Sequence, residues 1–423
     1  MKTIFALLIL TLLVSGCAGP TPIPAVAEAI QSDIPRETAP EISPAELATL
    51  VEGNTAFAVD LYQLLREEDG NLFFSPHSIS VALAMTYAGA RETTAEEMAQ
   101  TLHFLLSEEE LHRAFNTLDL LLAAEPDQDP EAFVLHIANS LWAERDYTFQ
   151  QEFLDTLGQH YGAGLRLVDF KTAYDAARLL INAWVEEQTE SRIQDLIPEG
   201  GVDALTRLVL VNAIYFNAKW VHQFPEALTE AGTFTTLQGA EVSVPMMRWG
   251  TPNQVPYARG DGYQAVELPY RGDQASMVLL VPDAGRFAEF EATLTGANLQ
   301  RIIADMERRG VDLTMPRFEY EAEFALADAL QELGMTAAFD PASADFSGMD
   351  GSQELFISGV FHKAFISVDE EGTEAAAATA VIVATTSMPQ TDVELTVDRP
   401  FIYLIRDTRS GAVLFLGRVV DPS

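Results

Sequence analysis

The chain has 423 residues, of which 48% are hydrophobic and 21% charged, so it can bury a large core and is too long for one small domain. Its formal net charge of −38 repels phosphate and sulfate groups, which argues against nucleic-acid binding and against activation by a polyanion. Solubility is the simplest reason for this acidity.

The N-terminus has the form of a signal peptide. Met1 and Lys2 precede an apolar run over residues 4–14, which is too short to span a membrane stably. The end of this segment, LLVSGC, resembles the bacterial lipoprotein signal, in which the cysteine is lipidated. We therefore expect residues 1–16 to be removed and Cys17 to carry lipid, with an ordinary secretory signal as the alternative. Cys17 is also the only cysteine, which excludes intrachain disulfides and thiolate metal clusters.

The next segment, residues 17–44, is rich in proline and has no hydrophobic period. This composition predicts a disordered, lipid-anchored tether ahead of a folded part over residues 45–423. The folded part is then expected outside the cytoplasm, held on a bacterial membrane by lipid alone, or secreted.

A helix is predicted to begin at the end of this tether. Ser43 is a suitable N-cap, Pro44 suits the first helical position and Glu46 completes a capping box. Phe57 and Leu61 then follow at a helical spacing of four.

Helices and strands alternate irregularly after this point. Residues 71–90 begin as an apolar segment and continue as a small-residue helix, and residues 92–102 predict another helix. Residues 176–197 have helical apolar spacing. Residues 205–220 are rich in Val, Ile, Tyr and Phe, which predicts a strand buried on both faces.

The remaining predicted elements are paired strands at 263–270 and 275–282, one strand at 310–324, a helix at 325–334 and two final strands at 399–407 and 412–420. Residues 45–423 contain no recognisable linker or internal repeat. The irregular mixture predicts an α+β fold that forms one large domain.

Local catalytic and metal motifs are absent from the sequence. It has no nucleophile elbow, no phosphate-binding glycine loop and no zinc-protease helix motif, and none of its seven histidines lies within five residues of another. We therefore expect no metal and no cofactor. A Ser-His-Asp triad built from distant positions stays open. The Arg-Gly-Asp triplet at 271–273 is explained more simply as a hairpin turn.

The segment EEGTEAAAATAVIVATTS, residues 370–387, has an unusual composition for a place so near the C-terminus. No charge follows Glu374, and both alternating faces carry only small or apolar side chains. A strand buried on both faces requires this composition, whereas an exposed loop does not. A helix over Ala375–Ala378 is the alternative, but the β-branched residues 381–383 fit a helix poorly.

Several blocks of sequence together resemble the serpins, a family of protease inhibitors. They are NLFFSPHSISVALAMTYAGA, LVNAIYFNAKW, LPYRGDQASMVLLVP, LTMPRFEYEAEFALADALQELGM, VFHKAFISVDEEGTEAAAATA and DRPFIYLIRDTRSGAVLFLGRVVDP. The resemblance covers residues 45–423. It implies a single-domain α+β fold with three β-sheets, about nine helices and an exposed reactive-centre loop at about residues 370–392.

The same resemblance implies that this loop is bait for a serine protease and that, once cut, it inserts into the central sheet. It assigns the hinge to Glu370, Glu371, Gly372, Thr373, Glu374, Ala375, Ala376, Ala377 and Ala378. It places the reactive bond between Thr386 and Ser387, with Thr385 as an alternative residue before the cut.

The resemblance further assigns five polar or aromatic positions in the body. Ser75, Ser78, Asn212 and His362 match the polar cluster where the main sheet parts, and Trp220 matches the aromatic residue where the loop enters. For each of them, a satisfied core residue is the alternative.

The implied function is covalent trapping of a serine protease by a protein that is not itself an enzyme. Since no Lys or Arg lies between Glu370 and Val397, we expect elastase-like or subtilisin-like targets. We also expect a monomer. The alternatives are a non-inhibitory binding or chaperone-like protein of the same fold, a lipid-anchored hydrolase and an anchored solute-binding protein.

Overall fold

The first long helix, α1 (Pro44–Leu65), begins where the sequence predicts in the computed structural model, which describes residues 27–123, 133–373 and 390–423. The Oγ of Ser43 accepts from the backbone N–H of Glu46 at 3.2 Å, and the Glu46 carboxylate accepts from the backbone N–H of Ser43 at 2.7 Å. This capping box satisfies two N–H groups that a helix end leaves free. Phe57 and Leu61 are fully buried on its inner face.

The helices that follow surround the sheets. They are α2 (Pro76–Tyr87), α3 (Glu92–Thr101), α4 (Glu108–Leu122), α5 (Gln151–Thr156, continued by a π-helical turn, Leu157–Tyr161), α6 (Phe170–Gln188), α7 (Phe287–Ala292), α8 (Gly296–Ala304), α9 (Ala327–Glu332) and α10 (Ser347–Asp350). Among the described residues, no helix is both long enough and apolar enough to cross a membrane.

The strands are β1 (Glu28–Ile30), β2 (Leu72–Phe74), β3 (Phe133–Glu144), β4 (Leu165–Val168), β5 (Leu208–Lys219), β6 (Glu230–Thr235), β7 (Glu241–Arg248), β8 (Asn253–Gly260), β9 (Tyr263–Pro269), β10 (Ala275–Pro282), β11 (Glu307–Pro316), β12 (Phe318–Ala325), β13 (Ile357–Val368), β14 (Gly372–Thr373), β15 (Val393–Thr396), β16 (Phe401–Asp407) and β17 (Val413–Val419).

These strands form a seven-stranded sheet and a ten-stranded one. The first has the order β1-β4-β3-β5-β14-β13-β12. The second has the order β2-β17-β16-β10-β9-β8-β11-β7-β6, with β15 also paired to β11. Because β11 pairs with β8 along its first half and with β7 near its end, strands β6, β7, β11 and β15 form a third sheet continuous with the second. The predicted α+β class is confirmed.

Two element boundaries differ from the prediction. Residues 310–324 are not one strand: β11 ends at Pro316 and β12 begins at Phe318, each in a different sheet, because proline has a fixed φ and no N–H to continue a ladder. Helix α6 starts six residues early and ends at Gln188, since Glu190 and Ser191 have positive φ values that turn the chain.

The predicted tether is ordered over its described part, residues 27–43. Strand β1 pairs antiparallel with β4, so this segment forms an edge of the seven-stranded sheet. Arg36 donates to Asp119 at 2.5 Å and to Asn116 at 2.9 Å. A disordered tether is therefore the wrong description of residues 27–43. The proline-rich composition missed this because the partner strand and helix come from distant parts of the chain.

The predicted hairpin around residues 271–273 is confirmed. Strands β9 and β10 pair antiparallel, from Pro269 opposite Ser276 onward. Gly272 and Asp273 have φ values of +87° and +54°, which a turn tolerates and a strand does not.

Candidate functional site

The chain makes a tight turn between β13 and β14, at the start of the predicted hinge. The carboxylate of Asp369 accepts from the backbone N–H groups of Glu371 at 2.8 Å and of Gly372 at 3.1 Å. Burial raises the pKa of Asp369, although these two hydrogen bonds act in the opposite direction. The turn sends the chain back into the seven-stranded sheet.

Strand β14 has only two residues and lies between β5 and β13, where it forms a single rung of the sheet. Thr373 pairs antiparallel with Ala218 of β5 and with Val368 of β13, and Gly372 pairs with Lys219. A Cβ on Gly372 would lie 2.1 Å from the carbonyl oxygen of Ala218, so only glycine fits this position without a shift. Glycine is thus required here because the backbones of β14 and β5 approach closely, which the sequence alone does not show.

An aromatic pair covers this rung. Trp220 and Tyr270 are stacked with ring centroids 4.4 Å apart, and the Tyr270 hydroxyl is 2.7 Å from Oγ1 of Thr373. The indole N–H of Trp220 donates to the carbonyl of Asp369 at 3.0 Å. Trp220 therefore lies where the hinge enters the sheet, as its sequence match implies, and Tyr270 is a contact that the sequence analysis missed.

Glu370 holds the hinge from the other side. Its side chain is only 4% exposed and accepts from Thr229 at 2.6 Å and from Arg317 at 2.5 Å. Burial alone would raise the pKa of Glu370, but the two hydrogen bonds outweigh it and the pKa lies below its ordinary value. Neither Thr229 nor Arg317 carries a local signal in the sequence, because both come from distant segments.

Below β14 the sheet is closed. Here β5 and β13 pair directly and in parallel, with residues 208–214 opposite residues 357–364. We call this contact the seam. An added strand would have to separate β5 from β13 along the seam.

The predicted polar cluster lies across the seam. Asn139, Asn212 and His362 are register neighbours in one row over β3, β5 and β13. The backbone N–H of Ser75 donates to Nε2 of His362 at 3.1 Å, so the neutral ring carries its proton on Nδ1, which donates to Oδ1 of Asn212. Burial lowers the pKa of His362 to about 3, which keeps the ring neutral.

The two serines join this row to helix α2. The amide of Asn212 donates to Oγ of Ser78 and, at 2.5 Å, to Oδ1 of Asn139. Ser75 is the N-cap of α2 and donates from Oγ to the carbonyl of Leu414 at 2.7 Å. The structure thus brings all four predicted residues together. Asn139 is a fifth member that sequence reasoning missed.

The other predicted site residues lie outside the described residues. They are Cys17, Glu374, Ala375, Ala376, Ala377, Ala378, Thr385, Thr386 and Ser387. Within the described ranges, no group of three His, Cys, Asp or Glu side chains could hold a metal ion.

Comparisons with known proteins agree on one family. The family model described as Serpin (serine protease inhibitor) matches residues 52–422. An uncharacterized serpin-like protein of Thermococcus kodakarensis is 37% identical over all of this chain and 99% of its own length. The human leukocyte elastase inhibitor is 39% identical over 88% of this chain and 99% of its own length.

A solved structure has the same fold over nearly the whole chain. The thermophilic serpin tengpin, in its native state, superposes with a TM-score of 0.83 at 28% sequence identity. The match covers 94% of this chain and all of that one.

Proposed function

The chain belongs to the serpin family, and we propose that it inhibits serine proteases as a suicide substrate. After a protease attacks the loop, residues 373–386 would enter the first sheet as a strand between β5 and β13. One observation carries this proposal: Thr373 already occupies the first position of such a strand, paired on both sides.

The pairing geometry favours extension of this rung. β5 and β13 are parallel to each other, whereas β14 is antiparallel to both. A longer inserted strand would therefore replace one parallel ladder by two antiparallel ones, and antiparallel pairing is slightly more stable per residue. Each added hydrogen bond contributes roughly 0.5–1.5 kcal/mol net. Burial of Val381, Ile382 and Val383 adds roughly 1.5–3 kcal/mol each.

The proposed trap requires that the loop inserts after the acyl-enzyme forms and before that ester is hydrolysed. The protease serine attacks the carbonyl of Thr386, the bond to the nitrogen of Ser387 breaks, the amine leaves with a proton, and an acyl ester remains. Fourteen inserted residues span about 46 Å at about 3.3 Å each, so the bound protease is carried far from its docking place. Displacement of its catalytic groups by about 1 Å is enough to slow the hydrolysis that would free it.

The proposed targets are elastase-like or subtilisin-like serine proteases. The loop has no Lys or Arg between Glu370 and Val397, so a trypsin-like pocket finds no partner there. A relative that is 39% identical is named leukocyte elastase inhibitor. We further propose that the protein acts as a monomer outside the cytoplasm, without a cofactor, and that lipid on Cys17 holds it at a membrane.

The test is incubation with a panel of such proteases, followed by a denaturing gel and mass mapping of the cut. The expected product is a stable covalent adduct cut after Thr386. Thr373→Arg should abolish the adduct and leave only cleaved protein, because Thr373 is 1% exposed between two strands. Thr293→Arg, at an exposed position outside the sheets, is the matched control and should still form it.

A second measurement distinguishes the alternative, a non-inhibitory binding or chaperone-like serpin. An insertable loop should raise the melting temperature of the protein once it is nicked, because the sheet gains a strand. Equal melting temperatures for nicked and intact protein, with no adduct on the gel, would favour the non-inhibitory alternative.

A further inference from the structure

We propose that the cleft below the seam binds the new carboxyl terminus that hydrolysis of the loop creates, with Arg207 as its cation, an inference that rests on the proposed function. This basal cleft has a volume of about 440 Å³ and is lined by Tyr147, Lys171, Leu205, Arg207, Glu354 and Phe356. The occupant we assign to it is the end of the loop segment at residues 385–387.

The register of β14 leads to this cleft. Gly372 lies opposite Lys219 and Thr373 opposite Ala218, so each later loop residue opposes one residue earlier on the other strand. Thr386 is thirteen residues after Thr373, and Leu205 is thirteen residues before Ala218. In the inserted strand Thr386 would therefore lie opposite Leu205. A cut one residue earlier or later moves the end opposite Thr206 or Ala204, which leaves it in the same short segment.

The cleft lies just beyond the last rung of the seam. Strand β5 starts at Leu208 and β13 starts at Ile357, so a strand that reaches position 205 leaves the sheet there. Leu205 is 68% exposed, and Phe356 lines the cleft with it. The end of the inserted strand would cover this apolar surface.

Arg207 supplies the charge that a carboxylate needs. Its Nη1 donates to the carbonyls of Ala204 at 3.1 Å and of Thr206 at 2.9 Å, which holds the guanidinium beside the segment that the loop end would oppose. In the described part of the chain, no carboxylate lies within ion-pair distance of it. It also hydrogen-bonds the side chain of Tyr147, and its remaining donors suit a carboxylate, which guanidinium groups bind strongly.

Two other charged side chains line the cleft. Lys171 is paired with Asp146 at 3.1 Å and lies over the ring of Tyr147. Glu354 is exposed and is the one acidic side chain that lines the cleft. Arg207 is therefore the cation left for a new anion.

The chemistry explains when this contact forms. Hydrolysis adds water across the bond between Thr386 and Ser387, leaving an α-carboxylate on Thr386 and an amine on Ser387. Before that step the same carbon belongs to a neutral amide, or to a neutral ester in the acyl-enzyme. Arg207 would therefore stabilise the cleaved inhibitor selectively and leave the intact protein and the trapped complex unaffected.

The first test uses two synthetic peptides with the sequence of residues 374–386, one with a free carboxylate and one with a C-terminal amide; they begin after Thr373 because the intact protein already fills that position. We expect the acid to bind the intact wild-type protein about three- to tenfold more tightly than the amide. Arg207→Gln should remove this preference and Arg207→Lys should retain most of it. Arg259→Gln, at an exposed arginine of β8, is the matched control and should behave as wild type. An unchanged acid preference in Arg207→Gln would overturn the assignment.

The second test uses the cleaved protein and separates this inference from the proposed function. The gain in melting temperature on cleavage should be smaller in Arg207→Gln than in wild type and Arg259→Gln. An equal gain in all three would refute the role of Arg207 while supporting insertion. No gain in wild type would instead refute insertion itself, and the basal cleft would lose its occupant.

Discussion

Asn212 and His362 are register partners across the seam, and Nδ1 of the imidazole donates to the amide oxygen of Asn212. Both side chains are fully buried. The hydrogen bond therefore joins the two strands that an entering loop must separate, at a place where water cannot replace a lost partner. The cost of breaking it is a barrier to opening of the sheet.

Replacement of His362 by alanine should weaken this barrier. It leaves the backbone N–H of Ser75 and the side-chain oxygen of Asn212 without their partner in the core, which costs about 1–3 kcal/mol. We expect a lower unfolding midpoint and roughly tenfold faster heat-induced polymerisation, measured by native gel and light scattering. His103→Ala, at a partly exposed histidine paired with Asp60, should change neither by much. Wild-type behaviour of the His362 variant would contradict the role of the cluster.

The stability of the intact protein should depend on buried histidines below neutral pH. Burial lowers the pKa of His362 to about 3 and that of His77 to about 4, from 6.5. The unfolded chain binds protons below pH 6.5 that the folded chain cannot, so the free energy of unfolding should fall as pH drops towards 4. The slope is about 1.4 kcal/mol per pH unit for each such histidine.

Urea unfolding between pH 7.5 and 5 measures this slope. Above pH 6.5 these histidines should add nothing to the slope, because they are neutral in both the folded and the unfolded chain. His362→Ala should reduce the slope by about one proton. A slope equal to that of wild type would mean that His362 is protonated as easily in the folded protein as in the unfolded chain.

The pair formed by Glu370 and Arg317 should stabilise the hinge. Arg317→Gln leaves the buried carboxylate of Glu370 with Thr229 as its side-chain donor, so we expect a loss of about 1–3 kcal/mol in the free energy of unfolding at pH 7. Because the pKa of Glu370 is lowered, the loss should disappear as pH falls through that pKa and the carboxyl group becomes neutral. Arg309→Gln, which breaks an exposed pair with Glu307, is the control and should cost less than about 1 kcal/mol.

Gly372→Ala should displace the hinge from the sheet. The added methyl group would overlap the carbonyl oxygen of Ala218 and crowd Cα of Lys219, and this backbone of β5 cannot give way as a flexible side chain would. We expect a larger fraction of cleaved, non-inhibitory product per protease trapped, measured as the stoichiometry of inhibition. Gly285→Ala, where φ is +80° but no atom lies within 4 Å of the added Cβ, tests local strain alone and should keep the wild-type stoichiometry. Equal effects of both variants would reject the close-approach argument.

Local sequence signals predicted many elements correctly. Ser43 and Glu46 marked the start of α1 because a capping box uses residues three apart in the chain. The density of β-branched and aromatic residues located β5 within a few residues of its ends. The break between β11 and β12 was missed although two signals were visible: Pro316, and a change in the alternation from apolar odd positions up to Met315 to apolar even positions from Phe318.

For the candidate site, the resemblance of sequence blocks indicated Ser75, Ser78, Asn212 and His362, but not how they are bonded. Asn139, Tyr270, Thr229 and Arg317 were missed. Each meets its partner only through strand register or packing between distant segments, and none is marked by spacing along the chain.

The sequence by itself determined the α+β class, the composition of residues 370–387 and the absence of local catalytic motifs, because these depend on residue type and on short-range order. Only the tertiary structure decided that β14 is seated between β5 and β13, that residues 27–43 lie against the domain, and that Tyr147, Arg207 and Phe356 line one cleft. Those facts follow from contacts between residues more than a hundred positions apart, which local patterns do not encode.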